Sequence, residues 1–241
     1  MTPRSFRTAA VALLVSAPLS AQMAGMNHDA DKKTEGGALP AGWSMRKDKP
    51  TAPDAKLAPM GTGVHVTSGG AAIYWREKDR PSVPFTATAS FTQTKAPMHP
   101  EAYGLFYMGN KLAGAEQSYA YLLVRGDGKV MVKHRAGAEL HTILDWTENA
   151  AVHKQDADGK ATNTLSVAAS ADSTRLMVNG VQVIAIGGAY AKADGHVGLR
   201  VNHNLDVHVD NFTVSSDGPA APKSAGKMKK MKKMKTGAKA Y

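Results

Sequence analysis

Short runs of β-forming residues, separated by turn formers, recur along most of this chain of 241 residues. Between residues 64 and 214, no stretch shows the apolar period of 3.6 residues, with end caps, that indicates an amphipathic helix. Many short strands at this spacing predict an all-β fold, either a sandwich or a barrel. The predicted strands are 42–46, 71–76, 85–94, 103–108, 118–125, 129–135, 140–146, 164–169, 174–178, 181–186, 196–201 and 205–214. The rest of the Pro-rich segment 39–63 is typical of a loop.

The chain contains no cysteine, which excludes disulfide bonds and any zinc or iron–sulfur site built on thiolates. Its hydrophobic residues make up 43% of the total, too large a share for a wholly disordered chain. We therefore expect the domain to be stabilised by burial of its own aliphatic side chains, which a chain of this length can achieve.

The first 21 residues have the organisation of an export signal. Arg4 and Arg7 precede an apolar run at 9–19, which is too short to span a bilayer. The small residues Ser20 and Ala21 follow, so we predict a signal peptide cleaved after Ala21 and a periplasmic or extracellular location. No later segment has the length of a transmembrane helix, and we expect none in the mature chain.

The net charge of +10 comes from the two ends of the chain. Arg4 and Arg7 account for two of the charges, and eight lysines after Pro219 account for the rest. This distribution argues against a basic domain surface for specific nucleic-acid recognition. The predicted segments after the signal peptide are a flexible leader at 22–38, a β-sandwich domain at 39–216 and a disordered Lys- and Met-rich tail at 217–241. We expect the tail to adhere to anionic cell-envelope surfaces.

Two hairpins can be placed from their turn residues. Asn179-Gly180 lies between two aliphatic runs and is typical of a two-residue turn. The segment 125–129 allows two registers. In the first, a two-residue turn would pair Arg125 with an aliphatic residue. A three-residue loop, with Gly128 in the left-handed conformation, gathers aliphatic side chains on one face, and we favour it. The pairs are then Val124 with Val130 and Leu122 with Val132.

The last two predicted strands alternate apolar and polar residues. The alternation in 205–214 falls out of step after Asp210, which predicts a bulge near that residue. If this strand pairs with 196–201, Arg200 faces Asp206; the two strands can equally lie in different sheets, and the sequence leaves both pairings open. The residues expected to face inward are Val197, Leu199, Val201, Leu205, Val207 and Val209.

Four consecutive motifs occupy the last third of the predicted domain. They are Asn163-Thr-Leu-Ser-Val, Arg175-Leu-Met-Val-Asn-Gly-Val-Gln-Val, Gly195-His-Val-Gly-Leu-Arg-Val and Val207-His-Val-Asp-Asn-Phe-Thr-Val. Their order resembles the concanavalin A-like lectin/glucanase superfamily, nearest to the laminin-G-like and 3-keto-disaccharide hydrolase domains. The resemblance implies a jelly-roll sandwich of two antiparallel sheets. Turns and strands of this kind identify a fold rather than an activity.

Members of this superfamily bind or cleave glycans on a concave sheet, so the resemblance implies a glycan-related role. The laminarinase-type glucanases carry Glu-x-Asp-x-x-Glu on a strand. Here Glu77-Lys78-Asp79 matches the first half, but Ser82 stands where the last glutamate belongs. The acid–base pair for that route of hydrolysis is missing, and the resemblance carries no catalytic residue onto this chain.

The favoured register of the hairpin 118–135 places tyrosines and cations on one face. Aromatic rings stack on sugar rings, and charged side chains bond to hydroxyl groups. A half-buried strand pair, with the stems of its cations packed along the sheet, explains the same pattern. The candidate ligand-binding residues are Tyr119, Tyr121, Arg125, Lys133 and Arg135, with Glu101 and Tyr103 nearby in sequence.

Few residues have the spacing of a metal site, and we predict no cofactor. Asp206, His208 and Asp210 lie at two-residue steps, about 6.8 Å apart, which is loose for one metal ion. The resemblance implies at most a structural calcium at Asp210. The segment 156–159 lacks the first and twelfth ligands of a calcium loop and is typical of a plain turn.

Three functions remain open. We favour an exported, non-catalytic module that binds a carbohydrate or an anionic cell-envelope surface. The alternatives are a glycoside hydrolase of the 3-keto-disaccharide type and a periplasmic Cu(I)-associated protein. Met23, Met26 and His28 of the leader are the soft ligands on which the copper hypothesis depends. The sequence identifies neither the ligand nor an oligomeric state.

Overall fold

The computed structural model of the protein describes residues 33–191 and 193–216. The predicted signal peptide, the predicted tail and the candidate copper ligands Met23, Met26 and His28 lie outside the described residues. The strands are β1 (Trp43–Lys47), β2 (Ala55–Met60), β3 (Gly63–Ser68), β4 (Ala72–Arg76), β5 (Phe85–Gln93), β6 (Ala102–Asn110), β7 (Ser118–Arg125), β8 (Lys129–Ala136), β9 (Glu139–Glu148), β10 (Ala161–Ala169), β11 (Thr174–Val178), β12 (Val181–Ile186), β13 (His196–Val201) and β14 (Asp206–Ser215). A short 3-10 helix spans Gly188–Ala191. In the described part of the chain, no helix is long and apolar enough to cross a membrane.

The strands form two antiparallel sheets of seven strands each. The first sheet has the order β1-β4-β13-β6-β7-β8-β9, and the second has the order β12-β11-β10-β5-β14-β3-β2. This architecture confirms the predicted all-β jelly-roll sandwich. Because β13 and β14 belong to different sheets, Arg200 does not face Asp206, and the pairing that the sequence left open is decided.

Alternating apolar side chains fill the space between the two sheets. Strand β5 shows the pattern, since every second residue from Phe85 is buried while the threonines and serine between them are partly exposed. A fully buried aliphatic or aromatic side chain contributes about 1.5–3 kcal/mol, so this interior is the main source of stability. The predicted inward residues of the β7–β8 hairpin lie in this core: Leu122, Val124, Val130 and Val132.

Both predicted hairpin turns are present. Asn179 and Gly180 have φ values of 50° and 79°, as a type I′ turn requires. Gly128 has a φ of 90°, and β7 and β8 pair in the register that we favoured. The predicted bulge in β14 is also confirmed, because the register shifts after Asp210 and Asn211 has a φ of 54°.

The structure contains two strands, β2 and β3, where the sequence predicted a loop or no strand. Pro59 lies in β2 and masks the strand signal, because proline removes a backbone donor. β2 is an edge strand, so one side of it needs no partner and proline is tolerated there.

Candidate functional site

Five of the seven candidate ligand-binding residues share the outer face of the first sheet, the side turned away from the second sheet. Tyr121 pairs with Lys133 and Tyr119 pairs with Arg135, so these side chains stand beside one another. Arg125, at the end of β7, follows the same alternation. The predicted register therefore places the five residues correctly.

The two tyrosines of this face are packed rather than open. Tyr119 is fully buried and Tyr121 is 3% exposed. The ring centroids of these two residues are 5.6 Å apart. They belong to a second hydrophobic cluster, which we call the outer cluster: Ile73, Trp75, Ala102, Phe106, Leu112, Tyr119, Tyr121, Leu123 and Met131. Neither tyrosine has a free ring face on which a sugar could stack.

The loop between β6 and β7 contributes to this packing. Leu112 of the loop is buried in the outer cluster. The guanidinium of Arg46, on β1, donates to the carbonyl oxygen of Leu112 at 3.2 Å and also to that of Gly114. The loop is thus bonded to a strand at the edge of the first sheet.

A buried charge network lies next to the tyrosines. Arg200 donates to both carboxylate oxygens of Asp48, at 2.9 and 2.7 Å, and to the hydroxyl of Tyr119 at 3.1 Å. Its guanidinium also lies 5.0 Å from the ring centroid of Tyr121, and Arg135 lies 3.5 Å from Asp48. Burial raises the pKa of Asp48, but the hydrogen bond and charge of Arg200 outweigh it and hold that pKa below its ordinary value.

Tyr103 does not share the outer face, so the expectation that it lies with the other candidates is wrong. It pairs with Val124, a core residue, and therefore points between the sheets. Its ring lies 5.5 Å from that of Phe91, and its hydroxyl accepts a hydrogen bond from Asn163 at 3.2 Å. Burial raises the pKa of Tyr103 to about 12.

Two other candidates are engaged by neighbouring side chains. The carboxylate of Glu101 lies 2.7 Å from the ring of His203, in the turn between β13 and β14. Arg125 forms an ion pair with Asp127 at 2.5 Å, and its guanidinium lies 4.4 Å from the ring centroid of Trp146. Both side chains already have partners within the protein.

An open cleft of about 390 Å³ lies at one end of the outer face. It is bounded by the loop between β6 and β7 on one side and by the ends of β4 and β13 on the other. Trp75 and His196 are buried residues that form part of its wall, whereas Glu77 and Arg80 are exposed. The cleft therefore combines an apolar wall with charged groups that solvent can reach.

Glu77 is the best-positioned polar group of this cleft. Trp75 Nε1 donates to Glu77 Oε1 at 3.1 Å, and His196 Nε2 lies 3.1 Å from Glu77 Oε2. The other ring nitrogen of His196 lies 3.3 Å from the carbonyl oxygen of Gly109. The side chain of Glu77 is nevertheless 76% exposed. A ligand can thus reach a carboxylate whose orientation is already fixed.

The hydrogen bond from Trp75, followed by that from His196, holds the pKa of Glu77 below its ordinary value. Glu116, in the loop that bounds the cleft, pairs with Lys111 at 2.9 Å. The hydrogen bond and charge of Lys111 lower the pKa of Glu116 as well. Both carboxylates of the cleft are therefore ionised at neutral pH.

The sequence singled out Glu77 only as part of an incomplete glucanase motif. In the structure the motif breaks up, because Asp79 is buried against Arg76 while Glu77 turns toward the cleft. A tryptophan two residues before an acid is a local signal that sequence reasoning could have used, since such residues share one face of a strand. The contribution of His196 depends on β13 lying beside β4, which no local pattern indicates.

The other motifs form local contacts. On the outer face of the second sheet, His65 lies 2.5 Å from Asp206, and His208 lies 2.9 Å from Asp210. Asp156 accepts hydrogen bonds from the backbone of its own turn. Within residues 33–191 and 193–216, no group of three or more His, Asp or Glu side chains could hold a metal ion.

Comparison with solved structures identifies the fold. The carbohydrate-binding module CBM66 from Bacillus subtilis matches with a TM-score of 0.55 and 17% identity, over 76% of this chain and 99% of that one. A Bacillus subtilis protein of unknown function with a galectin-like fold matches with a TM-score of 0.51 and 11% identity, over 72% and 89% of the two chains. These matches support the jelly-roll fold described above. A GH16 protein from the Bacteroides ovatus mixed-linkage glucan PUL, in complex with a product, also matches, with a TM-score of 0.50, 11% identity and coverage of 71% and 94%. No protein-family model and no curated protein matches the sequence.

Proposed function

We propose that this protein binds glycans in the cleft beside Glu77 and does not cleave them. Two observations support the proposal. The fold is shared with a carbohydrate-binding module and with a GH16 protein solved with its product. The observation that carries the proposal is the geometry of Glu77, a carboxylate held by contacts with the buried side chains of Trp75 and His196 and still 76% exposed.

A fixed carboxylate is suited to sugar hydroxyl groups. Sugar hydroxyls donate hydrogen bonds, and bonds to a charged acceptor are about twice as strong as neutral ones. Because Trp75 and His196 already hold the Glu77 side chain, binding costs little additional side-chain entropy. The exposed guanidinium of Arg80 supplies donors at the same cleft for hydroxyl and ring oxygens.

The charge state of the cleft favours binding over hydrolysis. A glycosidase needs a carboxylic acid with a raised pKa to protonate the leaving oxygen, together with a second carboxylate. Glu77 and Glu116 both border the cleft, but the pKa of each is lowered by its hydrogen-bond donors. Neither residue is suited to act as the general acid at neutral pH.

A glycan array followed by calorimetry on the best-bound sugar tests this function. We expect the mature protein to bind at least one glycan, and Glu77→Gln to weaken that binding about tenfold or more, since a charge-assisted bond becomes a neutral one. Glu148→Gln is the matched control, because Glu148 is an exposed glutamate on the opposite edge strand, β9. Equal affinities for wild type and Glu77→Gln would place binding elsewhere, and release of reducing ends from the bound glycan would show that the protein is an enzyme.

We also propose that the protein is exported and that its cationic tail contacts an anionic envelope surface. The support is the N-terminal signal pattern and the eight lysines after Pro219, without an acidic residue among them. The glycan cleft and the tail would then serve one location, the cell envelope. The presence of the mature chain, beginning at Gln22, in a periplasmic or culture fraction is the test of export.

A further inference from the structure

A second pocket, of about 550 Å³, adjoins the cleft and shares Glu77 with it. It lies at the start of β1 and is bordered by Trp43, Ser44, Arg76 and Glu77. We propose that the two depressions form one extended site, and that the ligand is an oligosaccharide of at least two sugar units rather than a monosaccharide. This inference rests on the proposed function, because it assigns a size and a path to the same ligand.

Glu77 is common to the linings of the two depressions. Ser44 pairs with Trp75 and Trp43 pairs with Arg76, so the two tryptophans stand on consecutive rungs of the β1–β4 pair. Consecutive residues of a strand are about 3.3 Å apart and point to opposite faces. Trp75 accordingly belongs to the outer cluster, while Trp43 packs against the core between the sheets. Glu77 follows the end of β4 and borders both pockets, so a ligand that leaves the cleft past Glu77 reaches Trp43 over the end of the edge strand.

Trp43 is held in place by contacts with Arg76 and Phe212. The guanidinium of Arg76 lies 5.2 Å from the ring centroid of Trp43 and 4.7 Å from that of Phe212. The two aromatic rings are 6.0 Å apart, and Arg76 is further fixed by its ion pair with Asp79. Trp43 remains partly exposed, in contrast to the buried tyrosines of the outer cluster. A rigid, accessible indole ring is suited to stack on the apolar face of a sugar ring.

Charge also distinguishes the two depressions. The cleft contains the exposed groups of Glu77, Arg80, Lys111 and Glu116, of which the last two pair with each other. The charged residues of the second pocket are the shared Glu77, Lys78 and Arg76, which lies over the ring of Trp43. We therefore assign hydroxyl recognition to the cleft and ring stacking to the second pocket, so that an added sugar unit gains affinity mainly through Trp43.

The test measures affinity against ligand length. Calorimetry is carried out on the mature protein with cello-, laminari-, xylo- and fructo-oligosaccharides of one to four units. For the series that binds, we expect affinity to rise about tenfold from one unit to two or three, as one aromatic contact allows. Trp43→Ala should abolish that rise, while Glu77→Gln should weaken every member of the series.

Two further variants make the result decisive. Trp43→Leu keeps apolar bulk against Phe212 but removes the aromatic face, so it should lose the length dependence even if Trp43→Ala is poorly folded. Trp146→Ala is the matched control, because Trp146 lies on β9 at the far edge of the first sheet. An unchanged length dependence in Trp43→Leu, or equal affinity for one and three units in the wild type, would overturn the extended site while leaving the glycan cleft intact. Binding of no member of any series would reject both proposals together.

Discussion

Arg200 shows how one residue changes the character of a surface. Its neighbours on β13 point into the core, so Arg200 projects from the outer face of the first sheet, where the tyrosines lie. A buried guanidinium needs a carboxylate and further acceptors to offset the loss of water. Asp48 and the hydroxyl of Tyr119 supply them, and the ring of Tyr121 lies against the cation. The result is a closed, cross-linked surface where the sequence predicted an open ligand-binding face.

Removal of the carboxylate at Asp48 leaves Arg200 buried without its counter-ion. We expect Asp48→Asn to lower the free energy of unfolding by about 2 kcal/mol at pH 7, less than for a fully buried pair because Asp48 is 22% exposed. The lowered pKa of Asp48 means that its carboxylate stabilises the fold above about pH 4, and that this contribution is lost as the pH falls through the lowered pKa. Urea unfolding at pH 7 and pH 3 should show a difference between wild type and variant that narrows in acid.

Asp54→Asn is the control for this prediction. Asp54 pairs with Lys47 at 2.9 Å, but its side chain is 57% exposed, so we expect a change below about 1 kcal/mol. If Asp48→Asn and Asp54→Asn have the same effect, the network around Arg200 does not stabilise the fold as the geometry indicates.

The histidine pair on β8 and β9 gives a second prediction at this scale. The rings of His134 and His141 are stacked with centroids 5.8 Å apart. Burial, followed by the charge of His141, lowers the pKa of His134. The neutral form of His134 is therefore favoured in the folded state, and its stabilising contribution, complete above about pH 6.5, is lost as the pH falls through the lowered pKa.

Replacement of His141 should reverse part of the lowering of the His134 pKa. We expect His141→Gln to move the pKa of His134 upward but to leave it below its ordinary value, because burial is the larger cause. NMR titration of the imidazole signals measures the change, and His153→Gln, at an exposed site in the loop between β9 and β10, is the control. A pKa of His134 that is the same in wild type and His141→Gln would contradict the coupling.

At the scale of elements, turn chemistry sets strand register. Asn179 and Gly180 both have positive φ, which joins β11 to β12 with the twist that a hairpin needs. Gly128 performs the corresponding role between β7 and β8, and the resulting register puts aliphatic residues inside and the polar residues of the outer face outside. These registers were predictable because a turn and its flanking residues are contiguous in the chain.

Gly180→Ala tests how much the backbone conformation of this turn contributes to stability. An added Cβ at Gly180 would meet no atom within 4 Å, so the cost arises from the positive φ of 79° alone. We expect a loss of about 1 kcal/mol, equivalent to a fall in Tm of about 2–4 °C for a domain of this size. Gly114→Ala serves as the control, since the Cβ there would lie 3.7 Å or more from its neighbours and no positive φ is involved. Equal melting temperatures for wild type and Gly180→Ala would show that the turn accommodates a side chain freely.

At the scale of the whole molecule, the charge and the folded domain are separate features. The described domain carries the sandwich and the candidate site, whereas the excess positive charge comes from the ends of the sequence. Each lysine near an anionic lipid surface contributes about 1 kcal/mol at moderate ionic strength, and salt screens the attraction. Surface adhesion and glycan recognition should therefore respond differently to salt.

Deletion of residues 219–241 tests this separation. We expect the full mature chain to sediment with vesicles that contain phosphatidylserine at low salt and to be released at high salt, while the truncated chain stays in the supernatant. The melting temperature and the glycan affinity of the truncated chain should match those of the full chain. Equal sedimentation of the two chains would show that the tail is not the adhesive segment.

The sequence by itself determined the fold class, the hairpin registers and the separation of charge from the domain. These properties depend on the alternation of apolar residues, on turns such as Asn179-Gly180 and on composition, all of which are local. The tertiary structure alone decided that β13 lies between β4 and β6. This position of β13 produces two long-range contacts. Arg200 meets Asp48 across the first sheet, and His196 meets Glu77 at the cleft. Residues so far apart in the chain come together only when whole sheets pack, because the choice among strand neighbours depends on the total area that each arrangement buries.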